Sequence, residues 1–382
     1  MHTRSHRKGK GQQTRSYRKT FGCNELVVCP SESIQTYKFF KKYDLSYLYK
    51  EQLISSGVNG ETLLLTFKRK GFTSTAVMKI PQKEKSKEKD NLFHEFIAGA
   101  AMNKISKTYP CFIRTYAAFK TGKGPLVHRI PMERVNDIPT IQETCRSAGK
   151  QAILIEYVRG VTLKSMLDKP DFQENQLLYV LYQVYYALGH LGDEFTHNDL
   201  HTSNVMIYQP KEDKCVTFDY GDVKFDCNYV AKIIDYGRSY VKAISATVDT
   251  IKTDPICASS ECTRNVPGDT CGYRYYDREG SAVFKKPNIS QDLRLLSICV
   301  SEKHAHRFWK GQPKVVFDEN YMTKELKESG LPNRIHTVHD ALKVLTKMVK
   351  DRPSRPCSTY GTIHVYKDKP WTFDRRRHTK KY

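Results

Sequence analysis

The chain has 382 residues and a mass of 44.2 kDa, 39% hydrophobic and 27% charged, enough for a sizeable core and two lobes or domains. That excludes a peptide or a coiled-coil rod. Lys and Arg number 63 against 41 Asp and Glu, a net charge of +22, which favours polyanions: nucleic acid, phosphorylated ligands or acidic substrates.

Residues 1–20 carry seven Lys or Arg and no acidic residue, with no apolar stretch behind them. They read as a basic disordered arm and not as a secretory leader, so an intracellular location is expected. A second basic end holds Arg375, Arg376, Arg377, Lys380 and Lys381. The two ends either keep the protein soluble or bind nucleic acid weakly. No apolar run approaches the roughly 18 residues of a membrane span, so no membrane partner is expected. The eleven cysteines follow no repeating framework, and reduced thiols are expected. Cys257, Cys262 and Cys271, with Cys227 or a histidine, would be the set for a zinc knuckle; ordinary loop or buried cysteines are the alternative.

In chain order, residues 37–53 read as an aromatic helix. Residues 61–68 and 73–80 read as a hairpin turning at Lys70-Gly71. A helix follows, with Leu92, Phe96, Gly99 and Ala100 on one face. Residues 112–119 and 152–157 read as two more strands around an inserted polar loop. Beyond Gly160, Leu177, Leu181, Val184, Leu188 and Leu191 recur at helical spacing, with Asp171 and Glu174 as a capping pair. A last helix starts at the N-cap Thr337 and runs through Ala341, Leu345, Met348 and Val349. The domain plan is the arm at 1–20, a strand-rich region at 21–155, a mainly helical region at 156–352 and a basic tail at 353–382.

The chemistry is concentrated in His197-Asn198-Asp199-Leu200-His201-Thr202-Ser203-Asn204, followed by the apolar run Val205-Met206-Ile207-Tyr208. One short loop presents an Asp able to orient a hydroxyl and, five residues on, an Asn able to hold a metal. Downstream, Lys232-Ile233-Ile234 leads as a buried strand into Asp235-Tyr236-Gly237. A rival, Asp219-Tyr220-Gly221, lies closer to Asn204 but reads as the turn of an inserted hairpin, so Asp235 is preferred as the second metal ligand. Upstream, Ala76-Val77-Met78-Lys79 ends a strand, and Glu95, sixteen residues on, is placed to pair with its lysine.

These motifs, in this order over roughly residues 50–350, resemble a divergent eukaryotic-type protein kinase. The loop matches H-R-D-L-x-x-x-N except at Asn198, and Asp235-Tyr236-Gly237 resembles D-F-G. His201, the Ile-Ile-Asp-Tyr run and the lack of A-P-E are similar to haspin-like kinases, and also to kinase-like proteins of large cytoplasmic DNA viruses; a viral protein would work in host cytoplasm or nucleus. The resemblance implies an α+β, bilobal protein-kinase-like fold, with a small strand-rich N-lobe holding one key helix and a larger, mainly helical C-lobe. It implies ATP and Mg2+ as cofactors. It casts Asp199 as catalytic base, Lys79 as phosphate-pairing lysine with Glu95 as partner, and Asn204 and Asp235 as metal ligands. Gly57 and Gly60 resemble a reduced glycine loop, with an ordinary hairpin turn as the alternative. Ile155 takes the gatekeeper position, Glu156 and Val158 would offer backbone groups to an adenine, and Asp292 resembles the helix Asp that braces the catalytic loop. Because Asn198 replaces the Arg that captures a phosphorylated activation loop, activity without that switch is expected.

The leading function is serine/threonine protein kinase, with an acidic or phosphorylated protein as substrate. A small-molecule phosphotransferase similar to aminoglycoside or choline kinases is the second reading. A pseudokinase binding module is the third.

Overall fold

A computed structural model describes residues 48–57, 60–69, 72–80, 92–120, 151–244, 287–300, 309–315 and 334–375. The first half contains β1 (Leu48–Gly57), β2 (Gly60–Arg69), β3 (Phe72–Ile80), α1 (Leu92–Ile105), β4 (Thr115–Lys120) and β5 (Gln151–Glu156). Its strands form one antiparallel sheet of order β1-β2-β3-β5-β4. The two-residue period of a strand decides which side chains share a face. Val77 and Lys79 stand opposite Ile155 and Ile153 across the β3–β5 pair, while Met78 stands opposite Leu154. Val77, Ile153 and Ile155 join the main core, and Ala76, Met78 and Leu154 join a second apolar layer on the other face.

The remainder continues with β6 (Val161–Thr162), α2 (Pro170–Asn175), α3 (Leu177–Leu191), β7 (Phe195–Thr196), β8 (Val205–Tyr208), β9 (Cys215–Asp219), β10 (Lys224–Cys227), β11 (Val230–Ile233) and β12 (Tyr240–Val241). Then come α4 (Leu293–Val300), β13 (Lys314–Val315), β14 (Arg334–Ile335), α5 (Val338–Asp351), β15 (Thr359–His364) and β16 (Thr372–Arg375). The fold is α+β. No helix among the described residues is long and apolar enough to cross a membrane.

The centre of this second half is α3, buried continuously from Leu177 to Gly189. The leucine spacing predicts one apolar face, but tyrosines fill the others. Tyr182 and Tyr186 meet Tyr220 at ring distances of 5.1 and 4.4 Å, and Tyr179 stacks on Phe225 at 5.0 Å. A helix buried all round belongs at the middle of a layered domain. The cap of α5 is as expected: Thr337 and Asp340 form a reciprocal capping box.

Several expectations are corrected. Residues 48–53, assigned to an aromatic helix, are strand β1, because pairing with β2 overrides the local pattern; residues 37–47 lie outside the described residues. Asp171 and Glu174 do not cap the long helix. They sit in the separate α2, which begins at Pro170, and Gln176 stands at the N-cap of α3 with its side chain accepting from Cys227 and Asn228 and not capping the helix. The strand expected over 112–119 begins at Thr115; Phe112 instead makes an isolated bridge to Ile233. Within the tail at 353–382, β15 runs parallel beside β9 and pairs with β16, and residues 376–382 lie outside the described residues. Nor are all thiols reduced: Cys215 and Cys357 form a disulfide, with Cα atoms 6.2 Å apart. Cys227 is buried and its thiol donates to Gln176 Oε1, while Cys257, Cys262 and Cys271 lie outside the described residues.

Two packing features position α1. Gly99 lies against the start of β4, where an added Cβ would run into Thr115 Oγ1 and come within 3.3 Å of Tyr236 Cδ2. At the other end, the Trp371 indole N–H donates to Ser106 O at 3.0 Å and its backbone N–H to Lys107 O at 2.9 Å. Carbonyls just past a helix C-terminus need such partners, and here the C-terminal segment supplies them.

Candidate functional site

Lys79 projects from β3 between two carboxylates. Its Nζ lies 2.6 Å from Glu95 Oε1, in the first turn of α1, and 3.5 Å from Asp235 Oδ1. Glu95 is 2% exposed, so its charge needs this partner. Burial alone would lower the Lys79 pKa, but Asp235 and then Glu95 hold it above its ordinary value. Burial would likewise raise the Asp235 pKa, and the Lys79 ammonium reverses that, holding the carboxyl below its usual range. Both groups are charged at neutral pH.

Asp235 has φ +69°, a region few non-glycine residues enter and Asp tolerates better than most. Its neighbours hold it there. The Ile234 N–H donates to Asn204 O at 3.0 Å, and the buried Tyr236 hydroxyl donates to Ile113 O at 3.2 Å. The first of these bonds brings the end of the Lys232-Ile233-Ile234 run against the 197–204 loop.

That loop is fixed from within and from below. Asp292 accepts the backbone N–H groups of His197 and Asn198 at 2.7 and 3.0 Å. Asn198 has φ +67° and its side-chain amide donates to Arg238 O, tying the loop to the segment after Gly237 without a charged side chain. His197 is fully buried; burial lowers its pKa, so the neutral ring donates from Nε2 to Ile234 O at 2.8 Å. The Asn204 amide nitrogen donates to Asp199 O at 2.9 Å, which leaves its oxygen for another partner.

Burial pushes the Asp292 carboxyl up from 3.8 to about 7, against the pull of its two amide donors. Because the folded-state value is raised, the associated stability is complete below about pH 4 and is lost as pH rises through about 7. The melting-temperature advantage of the wild type over Asp292→Asn should therefore shrink between pH 5 and pH 8. A pH-independent difference in thermal melts would contradict the assignment.

The Asp199 side chain has basic company. Arg294 Nη1, from the first turn of α4, lies 2.8 Å from Oδ1, and Arg238 Nη1 lies 3.9 Å from Oδ2. His201 Nε2 is 3.8 Å from Oδ1, and the His201 Nδ1 accepts from the Ser203 N–H at 3.2 Å. Sequence reasoning missed both arginines. The only available signal was that Arg294 follows Asp292 by two residues.

The other expected positions are mixed. Ile155 is buried opposite Val77. The Glu156 N–H donates to Arg114 O at 2.8 Å, and the Val158 carbonyl accepts the Gly160 N–H at 2.9 Å. The Glu156 side chain has an unforeseen place, 3.3 Å from Lys232 Nζ and accepting the Arg114 N–H at 3.0 Å. Gly57 and Gly60 pair at the end of the β1–β2 hairpin, and Gly60 has φ +125°, a conformation side chains resist. Residues 58 and 59 lie outside the described residues. Asp219 is elsewhere: it accepts the Gly221 N–H at 3.0 Å in the β9–β10 turn, and its neighbour Tyr220 is core.

The sequence pattern of the ABC1 atypical kinase-like domain matches residues 128–244. This segment is kinase-like. The match takes in β5, the 197–204 loop and Asp235, whereas Lys79 and Glu95 lie before it; it covers under a third of the chain. No curated protein matches the sequence.

Proposed function

We propose that the chain is an ATP-dependent phosphotransferase acting on serine or threonine hydroxyls of acidic proteins, with the five-stranded sheet and α1 as a small lobe over a larger helical one. The observation that carries this reading is the Lys79 ion pair with both Glu95 and Asp235, beside a loop that presents Asp199 and Asn204. The donor set fits magnesium, which prefers hard oxygen ligands and takes few from protein: the Asp235 carboxylate and the Asn204 amide oxygen. When bound, magnesium-ATP supplies the phosphoryl group and a metal charge that offsets the phosphates.

The chain's own residues do the rest. Lys79 offers its ammonium to phosphate oxygens while Glu95 fixes its direction. Asp199 orients the acceptor hydroxyl and takes its proton. Asp292 and Asn204 hold the loop so that these groups need not reorganise. The neutral Asn198 bond to Arg238 O supports activity without a phosphorylated activation segment. The net charge of +22 supports an acidic acceptor.

The test is transfer of labelled γ-phosphate to acidic and basic protein mixtures and to small hydroxyl acceptors, followed by phosphoamino-acid analysis. Label in phosphoserine or phosphothreonine is expected. Label confined to small acceptors would overturn the protein substrate, and magnesium-dependent nucleotide binding with no transfer would favour a binding module.

A further inference from the structure

The carboxylate expected to take the acceptor's proton is held by a guanidinium that no motif requires. Arg294 Nη1 is 2.8 Å from Asp199 Oδ1, and the arginine side chain is 17% exposed, so the pair is largely shielded from water. The segment that carries it is anchored. The Asp292 side chain accepts from the loop backbone, the Tyr185 hydroxyl donates to Asp292 O at 2.8 Å, and the Leu296 N–H donates back to that hydroxyl at 2.9 Å. One helix start therefore positions both the loop and the guanidinium.

A guanidinium bonded to a carboxylate oxygen of the general base occupies an acceptor that the hydroxyl would otherwise use, a cost unless the cation takes part in the step itself. We propose that Arg294 is a catalytic residue of phosphoryl transfer, bridging from Asp199 to the transferring group and offsetting the charge that develops there. The proposal rests on the phosphotransferase reading. In the step, the acceptor oxygen forms a bond to the γ-phosphorus, the bond to the bridging oxygen breaks, and ADP keeps that electron pair. The hydroxyl proton goes to Asp199. As Asp199 is neutralised its attraction for Arg294 falls, and the guanidinium's attraction shifts to the phosphoryl oxygens. The planar fork has donors to span both partners at once. His201, the loop's own basic side chain, stands farther off at 3.8 Å and presents a single nitrogen.

The experiment compares wild type, Arg294→Ala, Arg294→Gln and Arg294→Lys for steady-state transfer, magnesium-nucleotide affinity and thermal melting, with guanidinium chloride or sodium chloride added at matched ionic strength. Arg294→Ala should lower kcat on the order of 10²–10³-fold, the scale for loss of a charge-stabilising donor, with nucleotide Kd within about twofold. Added guanidinium should restore at least roughly tenfold where sodium does not, and lysine should retain part of the rate. If the alanine variant does not fold, the glutamine variant carries the comparison. A kcat within about threefold of wild type, a rise in kcat, or equal response to the two salts would overturn the role of Arg294 while leaving the phosphotransferase reading intact. Absence of transfer by the wild type itself would overturn that reading, and this proposal with it.

Discussion

Lys232→Met should destabilise the fold by about 3–5 kcal/mol, the range for a buried ion pair that loses one partner. Lys232 and Glu156 have side chains only 8% and 6% exposed, with Nζ 3.3 Å from Oε1. Lys232 Nζ also lies 3.5 Å from Phe112 O, and Glu156 Oε2 accepts the Arg114 N–H. The pair thus joins the end of β5 to β11, the strand that leads into Asp235. Removing the lysine strands a carboxylate where water does not reach. The double variant Lys232→Met/Glu156→Gln should recover most of the loss, because neither charge then remains and the amide can still accept from Arg114. Urea unfolding at constant m-value measures both. A single-variant loss below about 1 kcal/mol, or a double variant as unstable as the single, would show that the pair is effectively solvated.

The second large effect separates two motifs that look alike in sequence. Asp235→Asn should weaken magnesium-dependent nucleotide binding and reduce transfer on the order of 10²–10³-fold, whereas Asp219→Asn should leave both within about twofold. Asp235 lies 3.5 Å from Lys79 Nζ. Asp219 lies 3.5 Å from Lys224 and from His364 and holds a turn between β9 and β10. Titration of a fluorescent nucleotide with and without magnesium, run on both variants, gives the comparison. Equal losses in the two variants would mean that the site has been placed wrongly.

What the sequence revealed follows from the range over which each feature is encoded. The 197–204 loop, the β2–β3 hairpin, the buried strand before Asp235 and the Thr337 cap are written in neighbouring residues. There, spacing and residue type carry the physics. The contrast between a buried strand before Asp235 and a turn at Asp219 is legible for the same reason. Lys232 sits within an apolar pattern, and nothing in the sequence around Glu156 marks it as the partner of a buried lysine. Pairing the two requires knowing that β5 and β11 approach each other. Strand β1 carries no two-residue alternation, because its adjacent apolar residues Leu53 and Ile54 are both exposed. The β9–β15 pairing and the Cys215–Cys357 disulfide, across 142 residues, leave no local trace. Arg294 belongs with these. Its contact with Asp199 joins residues 95 apart in sequence, and its place two residues after Asp292 is the one hint of it.

The measurement that bears most directly on the central claim is the initial rate of γ-phosphate transfer from magnesium-ATP by the wild type and by Asp199→Asn, at matched nucleotide occupancy. The account predicts measurable transfer by the wild type and a fall of at least roughly 10²-fold in the variant, with nucleotide affinity within about twofold, as expected when a general base is removed from an otherwise intact site. Equal rates in the two proteins, or no transfer by a wild type saturated with magnesium-ATP, would contradict it.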